Sequence, residues 1–251
     1  MKWIKAFVVM IQFLTRIPIK LNIELNKEDF GKALIFAPIV GVVIGGLLFA
    51  TNLILQQFFP SNMTAIFLII TYILITGGLH LDGLGDTFDG AFSNRSKERI
   101  LEIMRDSRVG TNATLAVVSL LFINYATISS ILPASLGSML ILMPVAGRIG
   151  SLVGAGMYSY ARTGEGLGKN FVDYCGIKQI VIGFFLAVLI FYAILGVAGI
   201  YIALVPLISA LILSKFFTSK IGGITGDILG AICEINQTVF IVCFFLITNV
   251  V

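Results

Sequence analysis

Three aspartates, Asp82, Asp86 and Asp89, fall within eight residues at spacing i, i+4, i+7, and the chain's one histidine, His80, stands beside them. On a helix that spacing stacks all three carboxylates along one face. Like charges so placed repel unless a cation lies between them. Oxygen-only ligands suit Mg²⁺, which keeps part of its water shell and is shared with substrate phosphates. Gly83, Gly85 and Gly90 remove side chains next to the carboxylates, so a bulky phosphate can approach the backbone. The cluster therefore points to a Mg²⁺–diphosphate site with Asp82, Asp86 and Asp89 as metal ligands. The competing reading is a solvated helix end with Asp-Gly turn signals. His80 has two readings of its own: a general base or hydrogen-bond partner for a carboxylate, or a structural histidine at a helix end.

Downstream, Arg105-Asp106-Ser107-Arg108 sets two arginines beside a carboxylate and a hydroxyl. Arginine grips phosphate oxygens through two parallel N–H bonds, and next to the aspartates a phosphate clamp is the favoured reading. A helix C-terminus among positively charged loop residues is the alternative. Arg148 lies inside an apolar run, where an unpaired charge costs about 2.5–3.5 kcal/mol on insertion scales. It needs a carboxylate or a substrate phosphate, and is a substrate-binding candidate with no partner assigned. The glycine-rich loop Tyr160 to Lys169 carries Arg162 but is not a Walker A loop, because Lys169 is followed by Asn170. It reads equally as a substrate-covering loop or a connector. Gly222, Gly226 and Gly230 recur every four residues, a pattern for close helix contact. Asp227 and Glu234, seven apart, share a face there and are candidates to complete the metal site or hold substrate.

The elements that must carry these groups are membrane helices. The chain has 251 residues, 58% hydrophobic and 12% charged, with mean hydropathy +1.02, against about 25% charged residues in a soluble domain. An all-α, polytopic integral membrane bundle follows, read as a single domain over 1–251. Met1 to Lys20 imitates a signal peptide, but Thr15-Arg16-Ile17-Pro18 offers no small-residue cleavage site, so the segment is expected to remain. Ile4–Leu14 is too short to span and is expected to lie on the membrane as an interfacial helix. Seven spans are expected, at about 33–58, 63–79, 113–132, 136–158, 179–197, 200–217 and within 221–251. The segment from Asp82 to Gly110 is expected to stay outside the hydrocarbon, with Ser96 capping a short amphipathic helix.

The connections near Pro60, Pro133 and Gly199 hold no lysine or arginine, whereas the others and the N-terminal region hold sixteen of the seventeen, Arg148 being the exception. By the positive-inside rule the N-terminus and the aspartates face the cytoplasm. The net charge of +4 then reflects loop topology, not nucleic-acid binding. All thirteen acidic residues crowd the same side, which favours a surface enzyme over a conduit with charges at the midplane. The three cysteines make no CxxC pair and read as small buried hydrophobes.

Taken together, His80-Leu81-Asp82-Gly83-Leu84, Asp86-Thr87, Asp89-Gly90 and Met104 to Gly110 resemble the cobalamin synthase (adenosylcobinamide-GDP ribazoletransferase) family. Gln12 to Pro18, Tyr160-Ala161-Arg162, Gly166-Leu167-Gly168 and Gly223 to Ala231 with Glu234 extend the resemblance over nearly the whole chain. It departs mildly at Gly85 and Phe88, where small residues such as alanine are expected. The resemblance implies a bacterial cytoplasmic-membrane enzyme whose substrates are adenosylcobinamide-GDP and α-ribazole or its 5′-phosphate. The implied products are adenosylcobalamin or its 5′-phosphate, and GMP. On that implication His80 and Asp82 are catalytic candidates, and Asp82, Asp86 and Asp89 hold Mg²⁺. Arg105, Asp106, Arg108, Arg148, Arg162 and Asp227 then bind substrate. Membrane lipid surrounds the bundle, and a homo-oligomer is left open. The rival expectations are another membrane phosphotransferase acting on nucleotide-activated alcohols, and a transporter, which would carry inverted repeats and midplane charges.

Overall fold

The structure, a computed structural model, describes residues 2–164 and 166–249. Met1, Glu165, Val250 and Val251 lie outside the described residues, and with them the two ends of the expected 1–251 domain and the middle of the Tyr160–Lys169 loop. The described chain is helical: α1 (Lys2–Leu14), α2 (Lys27–Lys32), α3 (Ala37–Leu55), α4 (Ser61–Thr76), α5 (Leu79–Ala91), α6 (Lys97–Ile103) and α7 (Thr111–Ser130). Then come α8 (Pro133–Met157), α9 (Leu167–Tyr174), α10 (Ile177–Leu195), α11 (Val197–Ile202), α12 (Leu204–Ile221) and α13 (Gly226–Asn249).

Six segments are long and apolar enough to cross a membrane: 27–55, α7, α8, α10, 197–221 and α13. The architecture is thus the polytopic helical bundle that the composition requires. The expected second span differs. Instead of running straight through Leu79, α4 stops at Thr76, and α5 leaves it at an angle of 92°, so a seventh span exists only if this bent pair is counted as one. The cause is local. Gly77 and Gly78 are both left-handed, at φ 65° and 69°, a conformation open to glycine without a Cβ penalty, and two in succession turn the chain sharply.

Two further features of the fold bear on the site. α5 is wedged between α7 and α13, with Leu81 and Leu84 packed on Leu120 and Ala231. The polar stretch Ser159–Lys178 contains α9, whose Phe171 and Val172 are buried. The bundle is built around α8. Gly41 and Gly45 of α3 lie against the backbone of Val145 and Ile141, and Gly150 and Gly154 admit Ile232 and Leu229 of α13. Small residues four apart let helices approach this closely. The amphipathic helix after Ser96 forms as expected: the Ser96 hydroxyl accepts from the Arg99 N–H at 3.5 Å, and Ile100 and Met104 are buried. The cysteines are free thiols; Cys175, in the α9–α10 link, is buried, which pushes its thiol up to about 12.

Candidate active site

The aspartates stand on one helix, as their spacing requires, and that helix meets the Asp227 helix with almost no gap. A Cβ on Gly83 would lie 2.8 Å from the Asp227 carbonyl oxygen; one on Gly230 would lie 3.2 Å from the backbone of His80. Only glycine at both positions lets α5 and α13 cross this closely. Asp227 sits in the first turn of α13. Thr225 caps that helix, its hydroxyl accepting from the Ile228 N–H at 3.2 Å and donating to Asp227 Oδ2 at 3.5 Å.

The glycine-rich loop is fastened over this point by backbone hydrogen bonds. The Ile224 N–H donates to the Ser159 carbonyl and the Ala161 N–H to the Ile224 carbonyl, both at 2.9 Å. Arg162 is thereby laid across the site. Its Nη2 donates to Asp227 Oδ2 at 2.6 Å and to the Met104 carbonyl at 3.4 Å, while its buried Nε has no protein partner among the described residues. That contact to the end of α6 sets Arg105 on the rim of the same cavity.

The charges acting on Asp86 are Asp227, Asp82 and Asp89, which repel it, and Arg162, which attracts it. Four acids thus share one nearby guanidinium. Asp89 is also engaged by backbone: its carboxylate accepts from the N–H groups of Gly110 at 2.6 Å and Ala113 at 2.8 Å, capping α7. Among the described residues no three His, Cys, Asp or Glu side chains converge as a ready metal site. An excess of carboxylate oxygens with one counter-cation nevertheless fits Mg²⁺, which binds through one or two carboxylates, waters and substrate phosphate.

Two cavities open here. One, of about 570 Å³, is polar and lined by Arg105, Tyr160, Arg162, the glycines of the loop and Asp227. The other, of about 230 Å³, is lined by His80, Asp82 and Asp227 together with Phe13, Leu34, Phe171 and Leu229. Leu167, Gly168, Gly226 and Asp227 line both. His80 is 7% exposed, and its Nδ1 has no protein partner among the described residues.

The remaining sequence candidates lie elsewhere. Asp106 and Arg108 pair with each other on the surface, at 2.6 Å between Oδ2 and Nη2, and line neither cavity. Hydrogen bonds from Arg108 pull the Asp106 carboxyl down to about 2. Arg148, expected to bind substrate, is 1% exposed inside the bundle and donates from Nη1 to Gln237 Oε1 at 3.3 Å. It lines neither cavity, because its place on α8 faces the middle of α13, well below that helix's first turn. Glu234 goes the same way: two turns beyond Asp227, it accepts from the Tyr72 hydroxyl at 2.6 Å in the interior, and does not join the aspartates. Phe88 stacks on Phe92 at 4.8 Å and faces a groove between α5, α7 and α13, away from both cavities. Sequence reading missed Phe13 and Phe171 as cavity walls. The spacing of Leu167 and Phe171, i and i+4 within a polar stretch, is the signal that could have found α9 and its inward face.

The family model for cobalamin-5-phosphate synthase matches residues 6–245. An adenosylcobinamide-GDP ribazoletransferase of Acetivibrio thermocellus is 55% identical over 98% of this chain and 99% of its own length. One of Clostridium acetobutylicum is 54% identical over 98% of this chain and 97% of its own, and one of Thermoanaerobacter pseudethanolicus is 37% identical over 97% and 98%. No solved structure matches the chain. A family model covering nearly the whole length, with relatives more than half identical from end to end, means that the chain belongs to the cobalamin-5-phosphate synthase family.

Proposed function

We propose that this protein joins adenosylcobinamide-GDP to α-ribazole or its 5′-phosphate, releasing GMP, at a Mg²⁺-dependent site on the cytoplasmic face of the bacterial inner membrane. The names of the relatives supply the reaction class. The observation that carries the reading is the meeting of two unlike cavities at Asp227, one polar and flanked by arginines, the other partly apolar and lined in part by Asp82 and His80. A transferase that brings a diphosphate donor to a nucleoside acceptor needs that pairing. The alternation of basic and neutral connections supports the cytoplasmic orientation.

In this reading Arg105 and Arg162 hold diphosphate oxygens, Arg162 using the Nε that has no protein partner among the described residues. The acceptor hydroxyl enters beside Asp82, and its oxygen attacks the phosphorus linked to the cobinamide arm. The bond from that phosphorus to the bridging oxygen breaks, and GMP leaves with the electron pair. The hydroxyl proton passes to His80 Nδ1 or to the Asp82 carboxylate, both of which line the acceptor side. Asp82, Asp86 and Asp89 would hold Mg²⁺, Asp89 through lone pairs that its two backbone hydrogen bonds leave free. When bound, the ion neutralises the diphosphate and the charge that develops on it. The closely packed α5–α13 crossing fixes Asp82 relative to Asp227, so little reorganisation is needed as the substrates meet.

The test is GMP release by purified protein in lipid nanodiscs, supplied with adenosylcobinamide-GDP, α-ribazole and Mg²⁺. Release that stops with EDTA and returns with Mg²⁺ is expected, and Asp82→Asn should abolish it with an unchanged melting temperature. No release with or without Mg²⁺ refutes the reading. Turnover retained in Asp82→Asn removes that residue from the mechanism.

A further inference from the structure

The two cavities differ in a way that assigns them to different halves of the reaction. The larger is ringed by guanidinium and backbone polar groups. The smaller is lined in part by Phe13 and Phe171, members of an aromatic cluster. Phe13 and Phe171 have ring centroids 5.3 Å apart, and Phe30 backs them, at 5.6 Å from Phe13 and stacked on Phe171 at 4.7 Å. Packing of this kind holds the two cavity-facing rings in fixed orientations. Asp82, Asp227 and His80 line the smaller cavity as well, and of these Asp227 also lines the larger cavity. The slot therefore combines aromatic and aliphatic side chains with two carboxylates and an imidazole.

We infer that this slot, between α1, α5, α9 and α13, is the subsite for the base of the acceptor nucleoside, and that Phe13 and Phe171 set the preference for a flat apolar ring. The inference rests on the transfer reaction proposed above. Size supports it. At about 230 Å³ the slot lies below the roughly 300–1,000 Å³ of pockets that take drug-sized ligands, so a bicyclic ring and part of a sugar fit while a corrin macrocycle does not. Polarity separates the candidate bases. Guanine carries donors on its edge that Phe13, Leu34, Phe171 and Leu229 cannot satisfy, and an unmatched buried donor is costly. A benzimidazole, the base of α-ribazole, has an apolar edge and makes no such demand. With the base against the phenylalanines, the sugar points toward Asp227, which lines both cavities. There its hydroxyl meets Asp82 and His80, and the phosphates held in the larger cavity stand across Asp227.

The experiment measures equilibrium binding of α-ribazole to the full-length protein in nanodiscs without donor, and separately the KM for each substrate. Phe13→Leu keeps most of the volume and loses the ring face; Phe13→Ala is the larger perturbation, and binding of adenosylcobinamide-GDP confirms that each variant is folded. We expect α-ribazole affinity to fall about three- to tenfold in Phe13→Leu and further in Phe13→Ala, with the donor KM within about twofold of the original. The variants should also discriminate less between α-ribazole and a riboside with a single-ring base. Unchanged α-ribazole affinity, or an equal loss for donor and acceptor, overturns the assignment. So does displacement of bound α-ribazole by guanosine, which would make the slot the donor's, or a co-purifying acyl chain that α-ribazole cannot displace. If α-ribazole binds in a Phe13-dependent way but GMP is never released, the subsite stands and the transfer reading falls.

Discussion

Replacing Gly83 by alanine tests whether the crossing of α5 and α13 sets catalytic geometry. The new Cβ would stand 2.8 Å from the Asp227 carbonyl oxygen and 3.0 Å from its Cα, where ordinary contact begins near 3.4 Å. Both atoms are backbone, so no side chain can swing aside and α13 must retreat by about 0.6 Å at Asp227. Since a misplacement of about 1 Å costs roughly 10²-fold in rate, this shift should lower kcat/KM for GMP release by about tenfold or more. Stability should change less. Overpacking costs about 1–3 kcal/mol, and alanine recovers up to about 1 kcal/mol of helix propensity over glycine. The variant is therefore expected to fold with a modest drop in melting temperature. Gly85→Ala is the control on the same helix. Its Cβ would meet only the Ala113 methyl at 3.3 Å, and it should turn over at nearly the original rate. Gly46→Ala meets nothing within 4 Å and should be neutral or slightly stabilising. Gly83→Ala at full turnover, or Gly85→Ala equally impaired, would refute the claim that this close approach positions Asp227.

Four further outcomes follow from the same geometry. Arg148→Met removes a buried cation whose electrostatic neighbours include Glu234 and Tyr72. Breaking such an interior arrangement costs about 3–5 kcal/mol, so a large loss of thermal stability is expected, with the acceptor and donor KM of the surviving folded protein little changed. Arg105→Ala should raise the donor KM far more than Arg108→Ala, since Arg105 lines the polar cavity and Arg108 does not. Arg108 holds the Asp106 carboxyl at about 2, below its ordinary 3.8. A depressed carboxylate contributes stability above the unfolded value and loses it as pH falls through the folded one. Melting curves of Arg108→Ala and the parent should accordingly run parallel from about pH 5 to 8 and converge only below about 4. The Cys175 thiol, pushed up to about 12 by burial, should resist maleimide at pH 8 until the protein is unfolded.

The sequence alone determined the membrane bundle, the short N-terminal helix and the helical face bearing Asp82, Asp86 and Asp89. Each rests on local patterns: an apolar run of sufficient length, or a spacing that survives any arrangement of the helices. Ser96 as a cap was legible for the same reason. The 92° turn after Thr76 was not, because consecutive glycines permit a left-handed pair without demanding it. The roles of the charged residues were least legible. Arg148, in an apolar run, and Arg162, in a glycine-rich loop, were equally substrate-binding candidates. Arg162 ends at Asp227 because a backbone bridge to Ile224 carries it there, while Arg148 ends at Gln237 because α8 packs along the middle of α13. Asp89 resembles its two partners on α5, yet the N-terminus of α7 engages it, and Glu234 shares a face with Asp227 yet meets Tyr72. Long-range partners of this kind depend on which helices touch. Only the tertiary structure decided that Asp227, Arg162 and the aspartate helix form one site with an apolar slot beside it.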